Sequence, residues 1–202
     1  MQLFLIRHAE SENNAKPIYR RVEDPPLTAV GRLQAEHLGD WVQTLKFDVL
    51  ITSPVLRALQ TTRRIFDRTG QHVQVWDNVF EEGGIYRGHG PDATEGGPGL
   101  SREKVIEHVT GAAGDCTLDP SIGDRGWWGR HRESSEEAVA RATEVVGRLA
   151  ATFGREKRIV VAVIHADFKR KMLNELVGDE LDPRLFGALR NTGITKLDLE
   201  QG

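Results

Sequence analysis

The chain has 202 residues, which fits one domain, or one domain with an insertion. A formal net charge of -3 at pH 7 argues against nucleic acid or an anionic membrane surface as a partner. The single cysteine, Cys116, excludes an internal disulfide and fits a reducing compartment. No segment approaches the roughly 20 apolar residues of a membrane span and the N-terminus lacks a signal-peptide pattern, so we expect a cytoplasmic protein.

The first predicted element is a short apolar run, Leu3 to Ile6, with the length of a buried strand. It ends on Arg7 and His8 and passes into Ser11 and residues 13–14, which favour caps and turns. Open α/β sheets bind ligands where strands end in this way. An arginine beside a histidine can hold a phosphate there and attack it. A purely local role for both side chains is the alternative interpretation.

Helices and strands alternate along the next part of the chain. A helix is predicted after Thr28, and a buried strand over residues 48–52 runs into Ser53, a predicted cap for the helix that carries Arg57. The apolar stripe of the first of these helices is predicted to contain Val30, Leu33, Leu38, Trp41, Val42 and Leu45. Further strands are predicted over residues 72–76, 158–164 and 194–199, with helices from Ser134 and over residues 168–176.

Between Arg87 and Arg130 the periodicity disappears and glycine dominates, apart from one predicted short helix over residues 101–109. This segment is long for a connection inside a compact domain. We therefore expect a single domain over residues 1–202 in which residues 87–130 form an inserted lid or cap. Trp127 and Trp128 are compatible both with packing this lid down and with lining a substrate opening.

The alternation predicts an α/β fold, a three-layer α/β/α arrangement with a mostly parallel central sheet. Parallel strands end at one edge, which would bring the polar groups after them around one small anion. A phosphoryl group needs cations on its oxygens, a nucleophile in line and an acid for the leaving oxygen. The side chains that supply this set are Arg7, His8, Arg57, the Glu81–Glu82 pair and His165.

Several blocks of this sequence, in order along the chain, resemble the histidine phosphatase superfamily, which has the phosphoglycerate mutase-like fold. The blocks are Arg7–Asn14, Asp24–Ala35, Ser53–Thr62, Val79–Glu81, Glu133–Ser134 with Arg141, Val163–Ala166 and Asn191–Thr192. They run from end to end and leave out only the predicted lid. The resemblance implies a phosphoryl-transfer enzyme that needs no metal and no cofactor.

By this resemblance, His8 is a nucleophile that becomes phosphohistidine, and Glu81 is the general acid and then the general base. The residues implied to hold the phosphoryl oxygens are Arg7, Asn14, Arg57 and His165. Elementary electrostatics agrees, because flanking arginines lower the pKa of an imidazole that must be unprotonated to attack. Glu81 must begin with its proton, so we expect it to be partly buried.

The sequence departs from the family pattern at a few places. Ala9 and Ala166 stand where glycine is usual, so the backbone there must adopt φ angles that alanine tolerates. Asp167 puts a carboxylate near a phosphate site, and we expect Lys169, Arg170 or a helix amide to pair with it. The segment after the acid also differs, which leaves Glu82 as an alternative to Glu81.

Candidates for contact with the rest of the substrate are Ser11, Arg20, Arg21, Glu82, Tyr86 and Ala166. For Arg20 and Arg21, a solvated surface pair is an equally compatible interpretation. The favoured function is a metal-independent phosphomonoesterase of the histidine acid phosphatase type, a monomer or homodimer acting on a small phosphorylated metabolite. A phosphoglycerate mutase-like phosphotransferase and a non-catalytic scaffold that binds a phosphorylated ligand are the alternatives. A dinucleotide-binding domain is excluded, since no Gly-x-Gly-x-x-Gly follows the first strand.

Overall fold

The computed structural model describes residues 1–87, 93–178 and 188–199. Its strands are β1 (Gln2–Arg7), β2 (Val49–Thr52), β3 (Val73–Val75), β4 (Cys116–Leu118), β5 (Ile159–Ile164) and β6 (Ile194–Asp198). Its α-helices are α1 (Glu12–Ala15), α2 (Ala29–Val42), α3 (Leu56–Thr69), α4 (Arg102–Val109), α5 (Ser135–Phe153) and α6 (Ala166–Val177). Of the helices in these ranges, none has both the length and the apolar character to cross a bilayer.

The strands form one sheet in the order β4-β3-β2-β5-β1-β6. All neighbouring strands are parallel except β6, which runs antiparallel to β1 at the edge. Strand β5 and the Leu3–Ile6 part of β1, both inside the sheet, are continuous apolar runs, as expected when helices cover both faces of a sheet. The predicted α/β fold with a mostly parallel central sheet is confirmed.

The sheet separates two apolar cores, and the alternation of side chains along β1 shows how. Phe4 and Ile6 point into the core beneath α2, α3 and α4, whereas Leu3 and Leu5 point into the core beneath α5 and α6. The same alternation along β5 supplies both cores. The helices therefore form one layer on each face and leave the ends of the central strands open to the site.

Helix α2 buries Leu38 and Val42 of the predicted apolar stripe, but other members of the stripe lie outside the buried face. Val30, Leu33 and Trp41 are 53%, 63% and 40% exposed. The buried face includes Gly31, where a Cβ atom would lie 1.9 Å from the carbonyl oxygen of Glu10. The close approach of the Gly31 and Glu10 backbones determines which face of α2 packs against the domain. A periodic pattern of large apolar residues does not reveal a glycine contact of this kind.

Two regular elements lie within residues 87–130, the segment predicted as a lid. Helix α4 packs on α3, and β4 extends the sheet beside β3. Residues 88–92 of this segment lie outside the described part of the chain. After β4 the chain reaches Trp127 and Trp128, whose ring centroids lie 5.5 and 4.7 Å from that of Phe80. The two tryptophans therefore pack this loop onto the domain.

Candidate active site

The predicted site residues follow strands that end at the same edge of the sheet. Arg7 of β1 is level with Ile164 of β5. The next residues, His8 and His165, have ring centroids 5.1 Å apart. Strand β2 ends beside β5 and leads into α3, which carries Arg57 in its first turn. The strand register thus brings together side chains that lie far apart in the sequence.

A cavity of about 810 Å³ opens at this edge. The sequence-predicted residues on its wall are Arg7, His8, Ser11, Asn14, Arg21, Arg57, Glu81, Glu82, Tyr86 and Ala166. His165 is fully buried beside the His8 ring instead of lining the wall. Arg20 lies off the wall, with its guanidinium 5.8 Å from the ring centroid of Tyr19. Among the described residues, Arg20 is therefore the one candidate for substrate contact that does not line the cavity.

Two hydrogen bonds define the state of the His8 ring. Its Nδ1 lies 2.7 Å from the carbonyl oxygen of Ala9, which only accepts, so Nδ1 carries the proton and donates. Its Nε2 accepts a hydrogen bond of 3.1 Å from Nε of Arg57. Burial, followed by the charges of Arg57 and Arg7, lowers the pKa of His8 well below its usual value. The ring is therefore neutral at neutral pH, with its lone pair on Nε2.

Arg57 is held from two sides. Asp24 places a carboxylate oxygen 4.0 Å from its Nη1, and the same carboxylate accepts the backbone N–H of Leu56. Thr61 donates to the Arg57 carbonyl at 2.7 Å and accepts the Ala9 N–H at 3.1 Å. Burial raises the pKa of Asp24 to about 6, against the opposing effect of Arg57. No role at the site was predicted for Asp24 from the sequence, although Asp24 begins a block that resembles the family.

Arg7 keeps hydrogen-bonding capacity for an anion. Its Nη1 donates to the carbonyl oxygen of Leu189 at 2.6 Å, whereas its buried Nε has no hydrogen-bond partner among the described residues. Behind it, the buried Lys169 donates from Nζ to the carbonyl oxygen of Gly193 at 3.0 Å. Burial and the charge of Arg7 lower the pKa of Lys169 to about 8. The neighbourhood of Arg7 is therefore strongly cationic.

His165 is held by Ser53, for which the sequence predicts a different role, that of a helix cap. The Nε2 atom of His165 lies 2.9 Å from Oγ of Ser53. Helix α3 begins only at Leu56, so Ser53 is not its cap. Burial, followed by Arg57, lowers the pKa of His165 well below its usual value, and its buried Nδ1 has no partner within the described ranges. This ring too is neutral at neutral pH.

Asn14 is oriented so that its amide can only donate to a ligand. Its Oδ1 accepts hydrogen bonds from the backbone N–H and the hydroxyl of Ser11, and a third from Nδ2 of Asn191. The same Nδ2 of Asn191 donates to the carbonyl oxygen of His8 at 3.1 Å. Asn191 was recognised in the sequence only as part of a block before the last strand, with no role.

Glu81 and Glu82 differ clearly in environment. Oε1 of Glu81 accepts the backbone N–H groups of Glu82, Asp167 and Phe168 at 3.0, 3.1 and 3.0 Å. Burial, followed by the carboxylate of Asp167, raises the pKa of Glu81 above its usual value. Glu82 instead forms an ion pair with Lys171 at 3.1 Å. Of the two, Glu81 has the environment that favours a bound proton.

Asp167 also lines the cavity. We expected Lys169, Arg170 or a helix amide to pair with it, but within the described residues its carboxylate has no hydrogen bond or ion pair. Its backbone N–H donates to Glu81. Asp167 therefore acts on its surroundings mainly through its charge.

The two alanines at usual glycine positions, Ala9 and Ala166, have ordinary backbone angles. Among the described residues, the one non-glycine with a positive φ is Thr192, at 54°. Neither alanine is therefore strained, and the departure from the family pattern leaves the two strand ends intact.

The fold and the site together define an α/β protein whose site groups are of the kinds that phosphoryl transfer uses. Cationic and neutral nitrogen groups line one end of the cavity and a carboxyl group with a raised pKa lies beside them, the set such chemistry uses. The chain belongs to the histidine phosphatase superfamily (branch 1), whose sequence profile matches residues 3–202.

Similar proteins include both mutases and phosphatases. The 2,3-bisphosphoglycerate-dependent phosphoglycerate mutase of Brucella anthropi is 39% identical over 71 residues, which are 34% of this chain and 34% of that protein. The aligned part of the chain spans 34–39% of the length of such curated relatives. Mycobacterial glucosyl-3-phosphoglycerate phosphatase in complex with VO3 superposes with a TM-score of 0.63 at 22% identity, over 98% of this chain and 90% of that one.

A phosphoserine phosphatase of Entamoeba histolytica superposes with a TM-score of 0.59 at 22% identity, covering 96% of this chain and 89% of that one. At these identities, the structural likeness shows a shared fold alone. The family membership therefore rests on the sequence profile, and the activity of this chain is argued from its site.

Proposed function

We propose that this chain is a phosphatase that hydrolyses a small phosphomonoester in two steps through a phosphohistidine on His8. The observation that supports this most directly is the fixed tautomer of His8: Nδ1 donates to a carbonyl and Nε2 holds a lone pair on the cavity wall. A neutral imidazole is a nucleophile at neutral pH, whereas an imidazolium is not.

In the first step, Nε2 of His8 attacks phosphorus and the bond between phosphorus and the ester oxygen breaks. The departing oxygen takes its proton from Glu81. Arg57 moves its N–H hydrogen bond from Nε2 to a phosphoryl oxygen, so the lone pair is released as the anion is bound. Each well-placed donor of this kind contributes roughly 3–4 kcal/mol of barrier lowering. The other proposed donors to the phosphoryl oxygens are Arg7, Asn14 and His165.

In the second step, water attacks the phosphohistidine and the bond between phosphorus and Nε2 breaks. Glu81, now ionised, takes the proton of the attacking water and returns to its starting state. Phosphate leaves and Nε2 regains its lone pair. The raised pKa of Glu81 fits both roles, because the group must exchange a proton near neutral pH. Each role is filled by a side chain of this chain, and we propose that the reaction needs no added metal or cofactor.

A small phosphorylated metabolite is the proposed substrate class. The size of the cavity and the solved neighbours named for phosphoserine and glucosyl-3-phosphoglycerate support it. A mutase that returns the phosphoryl group to substrate is the second candidate, because curated relatives carry that name. A phosphatase releases free phosphate from a monoester, whereas a mutase exchanges phosphoryl groups between substrate positions with little free phosphate.

The decisive experiment is to trap the covalent intermediate. The protein is mixed with p-nitrophenyl phosphate, quenched in alkali during turnover, and analysed by intact mass and peptide mapping. We expect acid-labile phosphate on His8, with release of free phosphate unaffected by EDTA. His8→Ala removes both the label and turnover, whereas the exposed His37→Ala retains both. Turnover by His8→Ala, or label on another residue, would contradict the proposal.

A further inference from the structure

The general acid proposed above lies in a loop, not in a helix or strand. Glu81 follows Phe80 in the segment between β3 and α4, where no regular hydrogen-bonding ladder fixes the backbone. Its carboxylate rests on amide groups of α6. The position of the loop relative to α6 must be fixed, because a small displacement of Glu81 would move its proton away from the leaving oxygen.

Arg141 of α5 contacts this loop directly. Its Nη1 donates to the carbonyl oxygens of Asn78 and Phe80 at 2.9 and 3.0 Å. Its Nε and Nη2 donate to the two carboxylate oxygens of Glu133 at 2.7 and 2.6 Å. Both members of this ion pair are buried. The guanidinium thus binds the backbone up to the residue immediately before Glu81.

The same guanidinium also contacts the helix on which Glu81 rests. Its central carbon lies 3.6 Å from the ring centroid of Phe80 and 3.9 Å from that of Phe168. Phe168 donates its backbone N–H to Oε1 of Glu81. One planar cation therefore joins the loop that precedes Glu81 to the helix turn that receives its carboxylate.

We propose that Arg141, oriented by Glu133, is a positioning residue for Glu81. This inference rests on the proposed function of Glu81 as the general acid. Arg141 does not line the cavity, so it makes no direct contact with the substrate. The fork of the guanidinium is essential to this role, because two carbonyls, two carboxylate oxygens and two rings are engaged at once. A lysine at this position would keep the charge but could not make these contacts together.

Helix α5 offers a matched control two turns further on. Arg148 donates to both carboxylate oxygens of Asp119 at 2.7 and 2.6 Å, and its central carbon lies 3.7 Å from the ring centroid of Trp76. The chemistry is the same, a forked ion pair packed on an aromatic ring. Within the described structure, however, Arg148 bonds to neither Phe80 nor Phe168, so its loss should not displace Glu81.

The test compares two leaving groups. A phenolate such as that of p-nitrophenyl phosphate departs with little help from an acid, whereas the alcohol of glycerol 2-phosphate needs its proton. The value of kcat/KM depends only on the steps up to departure of the leaving group. Hydrolysis of the phosphohistidine, which is the same intermediate for both substrates, therefore does not affect the comparison. We expect Arg141→Lys to lower kcat/KM for glycerol 2-phosphate about tenfold more than for p-nitrophenyl phosphate. Arg148→Lys should lower both equally or not at all.

Glu81→Gln provides the reference for complete loss of the acid, and circular dichroism and thermal unfolding verify that each variant is folded. If Arg141→Lys does not fold, Glu133→Gln carries the test, because it keeps the shape and frees the guanidinium. If the folded Arg141→Lys or Glu133→Gln variant loses kcat/KM equally for both substrates while Glu81→Gln loses it selectively for glycerol 2-phosphate, the positioning role of Arg141 is wrong. The proposed role of Glu81 would then stand. Equal losses in Glu81→Gln itself would overturn the proposed role of Glu81, and with it the role of Arg141.

Discussion

The cavity has two walls that are built in different ways. The inner wall consists of Arg7, His8, Asn14 and Arg57, and the outer wall of Asn13, Ile18, Arg21, Val22, Glu23, Tyr86, Arg132 and Asp167. Inner-wall groups end β1 or follow β1 or β2, and they are bonded to one another or to neighbouring backbone. The outer wall comes mainly from loops, and Ile18 and Val22 are more than half exposed.

This contrast suggests different roles for the two walls: the inner wall for the chemical step and the outer wall for selection of the substrate. The inner wall is cationic, contains the buried His8 ring and lies at the ends of parallel strands, so it suits one small anion. The outer wall mixes guanidinium, carboxylate, aromatic and aliphatic groups, so its loops can change without disturbing the strand ends. We therefore expect substitutions in the inner wall to affect all substrates, and those in the outer wall to affect particular leaving groups.

The largest effect is expected for Arg57→Met in the inner wall. The change removes a cation from the phosphoryl oxygens and the hydrogen bond that orients His8, so kcat/KM for p-nitrophenyl phosphate should fall about 10²–10³-fold. The loss should be similar for alkyl substrates. Arg63→Met is the matched control on the same helix, because Arg63 pairs with Asp67 on the surface. A loss below about fivefold for Arg57→Met would contradict the distinction between the walls.

The inner wall is also the part that the sequence predicts best. Arg7 and His8 follow a continuous apolar run, and His165 follows another, so the ends of two buried strands could be located from composition alone. Parallel pairing then brings them together without any knowledge of side-chain contacts. Strand ends are predictable because few alternatives bury a β-branched run on both faces.

What the sequence did not predict depends on contacts between distant segments. Asp24 and Asn191 support Arg57 and His8 through single polar contacts that leave no periodic signal. On α2, Gly31 lies on the buried face because it has no side chain, whereas Val30, which the apolar pattern predicted to be buried, is exposed. Strand β4 has three residues within a glycine-rich segment, too few for alternation to be recognised. The outer wall, which comes mainly from loops, was predicted least completely.

The cost of concentrating positive charge behind the inner wall is testable at Lys169. Its pKa is lowered from 10.5 to about 8, so the folded state disfavours the charged amine and folding is destabilised below pH 8. Lys169→Met should raise the free energy of unfolding at pH 7 by about 2 kcal/mol, after allowance for the lost hydrogen bond to Gly193. The gain should shrink as the pH rises from 8 towards 10.5.

Urea unfolding at several pH values measures this change. Lys104→Met, at an exposed pair with Glu107, should leave stability nearly unchanged at every pH. A destabilised Lys169→Met protein at pH 7 would show that the buried amine stabilises the folded state, contrary to the shifted pKa.

Asp167 lies on the outer wall and should have a smaller effect of two kinds. Its carboxylate raises the pKa of Glu81, so Asp167→Asn should lower that pKa. The high-pH limb of kcat/KM for an alkyl phosphate should then move to lower pH, with a loss of less than about tenfold above neutrality. The inhibition constant of inorganic phosphate should fall, because a negative charge beside the anion is gone. An unchanged limb would indicate that Asp167 does not act on the acid.

The smallest effect should distinguish two adjacent arginines. Arg21 lies on the outer wall, whereas Arg20 packs over Tyr19 and lies off it. Arg21→Ala should raise KM a few-fold for a substrate with an anionic leaving group, such as 3-phosphoglycerate, since exposed ion pairs contribute up to about 1 kcal/mol. It should leave p-nitrophenyl phosphate unaffected, and Arg20→Ala should change neither substrate. Equal effects of the two variants would mean that general attraction of anions, not a contact on the outer wall, accounts for the preference.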